Sequence, residues 1–254
     1  MLNDVPMEKK ERLDTLLVAA GLAESKELAQ RLILAGEVRV AGQVAAKPGH
    51  KFAPDAALSV DAPPRFVSRG GGKLEGAFAA FAAFDVAGRV CLDVGASTGG
   101  FTDCLLQRGA LRVMAVDVGR GQLHWKLRQD SRVFVMESFN ARYLRASDLP
   151  ERPERAVADV SFISLELILP PMRDVLPEGG EIVSLIKPQF EAGRGQAPGG
   201  VVRDPAVREG AVEKIRAFGT GALGLTWLGC VPSPLLGPEG NVEFLAWWRK
   251  EREM

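Results

Sequence analysis

The sequence predicts an α/β protein in two parts: a mostly parallel, seven-stranded sheet with helices on both faces, preceded by a small α+β module. Three observations predict it. From residue 89 onward short apolar strands alternate with helical segments, the pattern of a parallel sheet. Residues 12–60 read as helix, helix and hairpin, too small for most enzymes and typical of a binding module. Between the two, Pro63-Pro64 makes a stiff, extended connection. The expected boundaries are 1–62 for the module, 63–72 for the linker and 73–254 for the larger domain.

Taken in order, Arg12 to Gly21 is a short amphipathic helix closed by glycine. Ser25 caps a second helix running from Lys26 to Gly36. Glu37–Val40 and Gln43–Ala46 flank Ala41-Gly42, a tight hairpin signal. Residues 1–62 hold eight lysines and arginines against nine acids, so anion binding here needs a segregated basic face. Beyond the prolines, Arg65-Phe-Val-Ser68-Arg69-Gly70-Gly-Gly72-Lys73 is basic and glycine-rich, and enters an alanine- and phenylalanine-rich helix ending near residue 84. It reads as a flexible loop, either a plain hinge or one that sends Ser68, Arg69 and Lys73 toward substrate.

Strands are expected near 89–94, 112–117, 132–136, 155–160, 181–187, 225–231 and 242–248. The last two have no helix between them and should pair as a hairpin. The chain turns on Asp93-Val-Gly95-Ala-Ser97-Thr98-Gly99-Gly100, a strand, tight turn and helix start. Three ligand classes compete for it. A P-loop fails because Phe101 stands where its lysine belongs. A dinucleotide fingerprint fails because Ser97 replaces its second glycine. Gly95-Ala-Ser97-Thr-Gly99 matches a hydrolase nucleophile elbow, but no histidine follows His124 to complete a triad. The second strand ends at Asp117, 22 residues after Gly95, where a carboxylate accepts ribose hydroxyls. A nucleoside without phosphate, S-adenosylmethionine, suits this set. Asp93 and Asp117 as mere strand-end caps is the competing reading.

Ligands of such sheets bind beyond the carboxyl ends of the strands. That rule gathers Asp159, after the fourth strand, Lys187, after the fifth, and Glu243, at the start of the antiparallel last strand. Lys73 enters from the glycine-rich loop. A ribose hydroxyl attacks only once its proton is removed, and lysine accepts a proton when burial or a second cation disfavours its ammonium form. Two lysines balanced by two carboxylates suit this step; strand-end ion pairs are the alternative. Ser97 and Thr98 are placed to bond a methionine portion. Asn140 is placed to reach an adenine edge or to cap a loop. Gln189 to Gly200, Arg194 included, is a glycine-hinged loop that closes on substrate or is a disordered connection.

The N-terminal residues Arg12-Leu-Asp14, Gly21–Ser25, Ala29 and Leu32–Gly42 resemble the S-four-type RNA-binding domain, which implies RNA contacts at Arg12, Lys26, Arg31 and Arg39. The larger domain is similar to the FtsJ-like ribose 2′-O-methyltransferases, whose Lys-Asp-Lys-Glu tetrad matches Lys73, Asp159, Lys187 and Glu243 in order. The whole chain, over residues 12–248, resembles the hemolysin A/TlyA family through Ser68–Leu74, Asp93–Asp103, Asp159–Ser164, Lys187–Glu191 and Ser233–Leu245. The resemblance implies a Rossmann-like class I methyltransferase fold, S-adenosylmethionine as donor, and ribosomal RNA or ribosomal subunits as partner, methylated on a cytidine ribose. Ser68 and Arg69 join the RNA contacts. Gly71-Gly72 departs from the bulkier residues usual before the lysine, so a more mobile loop is expected.

Composition narrows the alternatives. Lysine plus arginine and aspartate plus glutamate both number 32, leaving no global basic field. Cys91, Cys104 and Cys230 suit neither a disulfide framework nor a zinc site, so no metal is expected. There is no apolar leader and no run near the roughly 18 apolar residues of a membrane span, pointing to the cytoplasm. A membrane-active hemolysin, as the family's older name suggests, and an RNA-binding protein without catalysis remain as competing functions.

Overall fold

The computed structural model describes residues 10–61, 64–193 and 195–251. Two compact units divide at residues 65 and 66. Ala62, Pro63 and Arg194 lie outside the described residues, so the first proline of the pair and the middle of the glycine-hinged loop do too.

The first unit opens with β1 (Glu11–Arg12), which pairs antiparallel with β4 (Lys51–Phe52). Helices α1 (Leu13–Ala19) and α2 (Lys26–Leu34) follow, and the Ser25 hydroxyl accepts the Leu28 N–H at 3.2 Å to start α2. A three-stranded antiparallel sheet in the order β3-β2-β5 is built from β2 (Val38–Val40), β3 (Gln43–Val44) and β5 (Leu58–Val60). Ala41 (φ 48°) and Gly42 (φ 80°) both take left-handed conformations, as a two-residue hairpin turn with the sheet's own twist requires. Leu13, Leu17, Ala29, Ile33 and Val38 form the fully buried centre. β4 and β5 are too short to show alternation, and the sequence did not announce them.

The second unit begins with α3 (Gly70–Ala80) and a seven-stranded sheet in the order β11-β12-β10-β9-β6-β7-β8. Its strands are β6 (Val90–Val94), β7 (Arg112–Val116), β8 (Val133–Met136), β9 (Arg155–Ala158), β10 (Glu181–Ile186), β11 (Leu225–Pro232) and β12 (Phe244–Lys250). Only β12 runs against its neighbours β10 and β11, so the expected terminal hairpin is present. Every residue of β6 and β10 is buried, because helices cover both faces. Those helices include α4 (Gly100–Gln107), α5 (Trp125–Arg128), α6 (Leu169–Val175), α7 (Pro188–Glu191) and α8 (Pro205–Ala217). The chain leaves β6 toward β7 on one side and later returns to β9 on the other. A crevice therefore opens at the carboxyl ends of β6 and β9, the ligand position of such sheets. At the far end, Glu181 is buried and accepts from Trp247 Nε1 at 3.1 Å and from Arg249 Nε and Nη2 at 3.1 and 2.9 Å.

The glycine run Gly70–Gly72 is a correction to the expected mobile loop: it forms the first turn of α3. Gly71 in this run, and Gly100 on α4, supply space. A Cβ on Gly71 would stand 2.3 Å from the Phe66 ring, and one on Gly100 would stand 2.3 Å from Ser68 Oγ and 2.7 Å from the Gly71 nitrogen. Only bare backbone lets α3 and α4 meet this closely. The Val67 N–H donates to the buried Asp103 carboxylate at 2.8 Å, which fixes the approach to α3 on α4.

Candidate active site

The turn after β6 sets the first half of the site. Gly95 has φ 83°, and a Cβ there would meet the Asp159 carbonyl oxygen at 2.7 Å. Ser97 also takes a left-handed conformation (φ 49°), and its N–H donates to Asp117 Oδ2 at 2.8 Å. Asp117 Oδ1 accepts the Gly119 N–H at 2.7 Å. The carboxylate is thus fixed by two backbone donors, with acceptor capacity left on both oxygens. Gly95, Ser97, Asp117, Asn140 and Asp159 all line one cavity of 740 Å³, walled further by Val94, Val116, Phe139 and Ile163. Asn140 does cap a loop, its side-chain oxygen accepting the Arg142 N–H at 3.2 Å, while still lining the cavity.

Three residues expected on the ligand stand behind the turn instead. Asp93 is 0% exposed and lines neither this cavity nor the smaller one described below. One of its oxygens accepts the Thr102 hydroxyl at 2.6 Å, and the other has no partner among the described residues. Burial pushes its carboxyl up to about 7, with the Thr102 hydrogen bond opposing. Its place is to tie β6 to the first turn of α4. Gly99 (φ 101°) is buried, a Cβ there meeting Leu127 at 2.2 Å, so it serves packing. Thr98 lines neither cavity, and its carbonyl accepts the His124 N–H at 3.0 Å.

Four ionisable groups make the second half. Lys73, 4% exposed on α3, donates from Nζ to Glu243 Oε2 at 2.6 Å and stands 3.7 Å from Asp159 Oδ2. Lys187, 7% exposed at the end of β10, stands 2.6 Å from Asp159 Oδ1 and donates to the Ser161 hydroxyl at 2.8 Å. Asp159 bridges the two lysines. Glu243 sits immediately before β12, which brings it to the same edge because β12 runs against β10. Its Oε1 is a buried acceptor with no hydrogen-bond partner among the described residues. The cluster borders a smaller cavity of 210 Å³, lined by Ser68, Arg69, Lys73, Asp159, Ser161 and Lys187. Gly95, Ser97, Asp159 and Ser161 line both cavities. Arg69 donates to the Leu236 carbonyl at 3.1 Å.

Sequence reasoning missed Ser161 as a partner of Lys187, although it lay within a motif read for Asp159. It also missed Glu191, which looked like part of a mobile loop and is a buried carboxylate closing α7. Among the described residues no group of three or more histidine, cysteine, aspartate or glutamate side chains is arranged to hold a metal.

In the first unit, the basic residues expected at RNA fall into two pairs. Arg12 is clamped by Asp14, Nε and Nη2 donating at 3.0 and 2.6 Å, and this guanidinium holds the buried Asp14 carboxyl well below the usual carboxylate range. Arg39 forks onto Asp61 at 2.8 and 2.9 Å. Lys26 and Arg31 are exposed on α2.

The donor set and cavity fit a cationic nucleoside: carboxylates at Asp117 and Asp159, a backbone opened by Gly95, and no lysine at the turn where a phosphate would need one. Residues 66–250 match the FtsJ-like methyltransferase family, and residues 11–57 match the S4 domain. The chain is 48% identical to the 16S/23S rRNA (cytidine-2′-O)-methyltransferase TlyA of Mycobacterium tuberculosis, over 97% of this chain and 92% of that protein. It is 44% identical to Hemolysin A of Brachyspira hyodysenteriae, over 92% of this chain and 98% of that protein. A solved structure from Streptococcus thermophilus, titled as a hemolysin, is 46% identical with a TM-score of 0.74, covering 97% of this chain and 90% of that one.

Proposed function

Because this chain belongs to the FtsJ-like methyltransferase family and carries an S4 domain at its N-terminal side, we propose that it methylates a ribose 2′-hydroxyl, on a cytidine of ribosomal RNA, using S-adenosylmethionine. The observation that carries the reading is the convergence of Lys73, Asp159, Lys187 and Glu243 beside a nucleoside-sized cavity. The activity named for the Mycobacterium tuberculosis relative supports the substrate class.

S-adenosylmethionine supplies an electrophilic methyl group. In this chain, Asp117 receives the ribose hydroxyls of the donor, Asn140 borders its base, and Gly95 and Ser97 border the methionine portion. Lys187, as the free amine, accepts the proton of the RNA hydroxyl; Asp159 and Ser161 fix its position. The resulting ammonium is balanced by the Asp159 carboxylate. Lys73, held by Glu243, sets the other side of Asp159 and adds positive charge facing the developing alkoxide. Most of the rate comes from holding the groups in line. Lys26 and Arg31 on α2, with Ser68 and Arg69 at the cluster's rim, supply the RNA contacts, and Arg12 and Arg39 contribute once their carboxylate partners yield. Relatives also bear a hemolysin name; no described helix of this chain is long and apolar enough to cross a membrane.

The test is Lys187→Ala with S-adenosylmethionine and unmethylated ribosomal subunits. Methyl transfer falls by about 10²–10⁴-fold while calorimetry still detects cofactor binding. Native activity in that variant rules out the assignment.

A further inference from the structure

Glu191 has a side chain 1% exposed, and nothing in the transfer chemistry above uses it. It closes α7, four residues after Lys187. Its Oε2 accepts the Ser164 hydroxyl at 2.6 Å and its Oε1 accepts the Leu165 N–H at 2.8 Å. The Ser164 oxygen in turn accepts the Glu166 N–H at 3.1 Å, starting the 3-10 turn Leu165–Leu167. Lys214 on α8 stands 3.6 Å from Glu191 Oε2 and 2.9 Å from Glu166 Oε2.

The segment gripped in this way begins at Asp159. Segments 159–165 and 187–191 are therefore tied at both ends, by Lys187 to Asp159 and Ser161, and by Glu191 to Ser164 and Leu165. Between the ties Phe162 is held at φ 63° and is 91% exposed. A bulky residue adopts that conformation only when its surroundings impose it. Phe162 leans on the Phe190 ring of α7, 5.1 Å between centroids, and buries little else, so the restraint comes from that contact and from the ties at the ends of the loop. The chemistry of the grip calls for a carboxylate: a hydroxyl donates to one oxygen and a peptide N–H to the other, whereas a carboxamide has a single accepting oxygen and an amino group that only donates.

We propose that Glu191 is a positioning residue for methyl transfer: it fixes the 159–164 loop so that Asp159 and Ser161 hold Lys187 where the ribose hydroxyl arrives. This rests on Lys187 as the proton acceptor. The experiment is single-turnover transfer to unmethylated ribosomal subunits at saturating S-adenosylmethionine, with cofactor affinity measured alongside. It compares Glu191→Ala, Glu191→Gln, Ser164→Ala, Lys187→Ala and, as a control for lost stability, Glu181→Gln at the opposite end of β10. Glu191→Ala slows transfer roughly 10- to 100-fold, the scale of a misplacement near 1 Å. Glu191→Gln falls between it and the native protein, and cofactor affinity changes far less than the rate. Combined with Glu191→Gln, Ser164→Ala adds less than its separate effect, as coupled partners do. Glu181→Gln lowers the thermal midpoint and keeps the native rate wherever it is folded. Should Glu191→Ala fail to fold, the Gln and Ser164 variants decide. Native rates in both, with Lys187→Ala inactive, overturn the positioning role alone. Rate losses that track only the folded fraction overturn it as well. A native rate in Lys187→Ala overturns the proton-acceptor assignment and this proposal together.

Discussion

Gly71→Ala and Gly72→Ala separate two meanings of a glycine run. Both positions lie in the first turn of α3, where replacing glycine by alanine gains up to about 1 kcal/mol of helix propensity. If the glycines were there for mobility, both substitutions would stabilise alike. The surroundings differ, however. At residue 71 the new methyl would lie 2.3 Å from Phe66 Cγ and 2.6 Å from its Cβ, an overlap that moves the ring or the helix start. Overpacking of this kind costs about 1–3 kcal/mol, which cancels or exceeds the gain. At residue 72 the nearest atom is Leu235 Cδ1 at 3.1 Å, the tip of a side chain that can turn aside. The expected result is a Gly71→Ala protein destabilised by up to about 2 kcal/mol, and a Gly72→Ala protein neutral or up to about 1 kcal/mol more stable. In a domain of this size 1 kcal/mol moves the thermal midpoint by roughly 2–4 °C, which scanning calorimetry resolves. Lys73 follows two residues later, so Gly71→Ala also slows transfer, and Gly72→Ala slows it far less. A Gly71→Ala protein that gains stability and keeps its rate would refute the packing argument.

Further outcomes follow from the same structure. Asp93→Asn retains an acceptor for the Thr102 hydroxyl and removes a carboxyl that burial raises to about 7. The native protein binds this proton more tightly than the unfolded chain, so the carboxyl costs stability as pH rises from about 4 to about 7. Asp93→Asn therefore gains stability relative to the native protein across that range, by a few kcal/mol at most, as denaturant titrations at several pH values report; parallel profiles would place the carboxyl outside the core. Asp61→Asn frees the Arg39 fork. Because the pair is solvent-exposed, the thermal midpoint changes little, while RNA affinity rises with a steeper salt dependence. Unchanged affinity and slope would exclude Arg39 from the RNA surface.

How much was legible in the sequence varied with the physics involved. The strands of the large sheet were readable because burial on both faces demands apolar runs, and the hairpin because no helix separates β11 from β12. The cluster was readable because strand-end residues of such a sheet share one edge, which puts Lys187 and Glu243 together. Glycine was the weak point. Sequence does not distinguish a glycine needed for mobility from one needed for space, and Gly100 answers to Ser68, far back in the chain. Asp93 and Asp117 look alike as strand-end acids, yet one is buried against Thr102 and the other faces the cavity. Glu191 was hidden for the same reason: nothing local reveals that its partners are Ser164 and Leu165.

The contact between Gly95 and the Asp159 carbonyl carries a practical consequence. The Asp159 carbonyl stands 2.7 Å from where a Cβ on Gly95 would lie, and Gly95, Ser97, Asp159 and Ser161 face both cavities. A substitution at any of these four positions reshapes both cavities at once. On the function proposed above, that shared wall favours a joined inhibitor, an adenosine-like head linked to a ribose-mimicking tail.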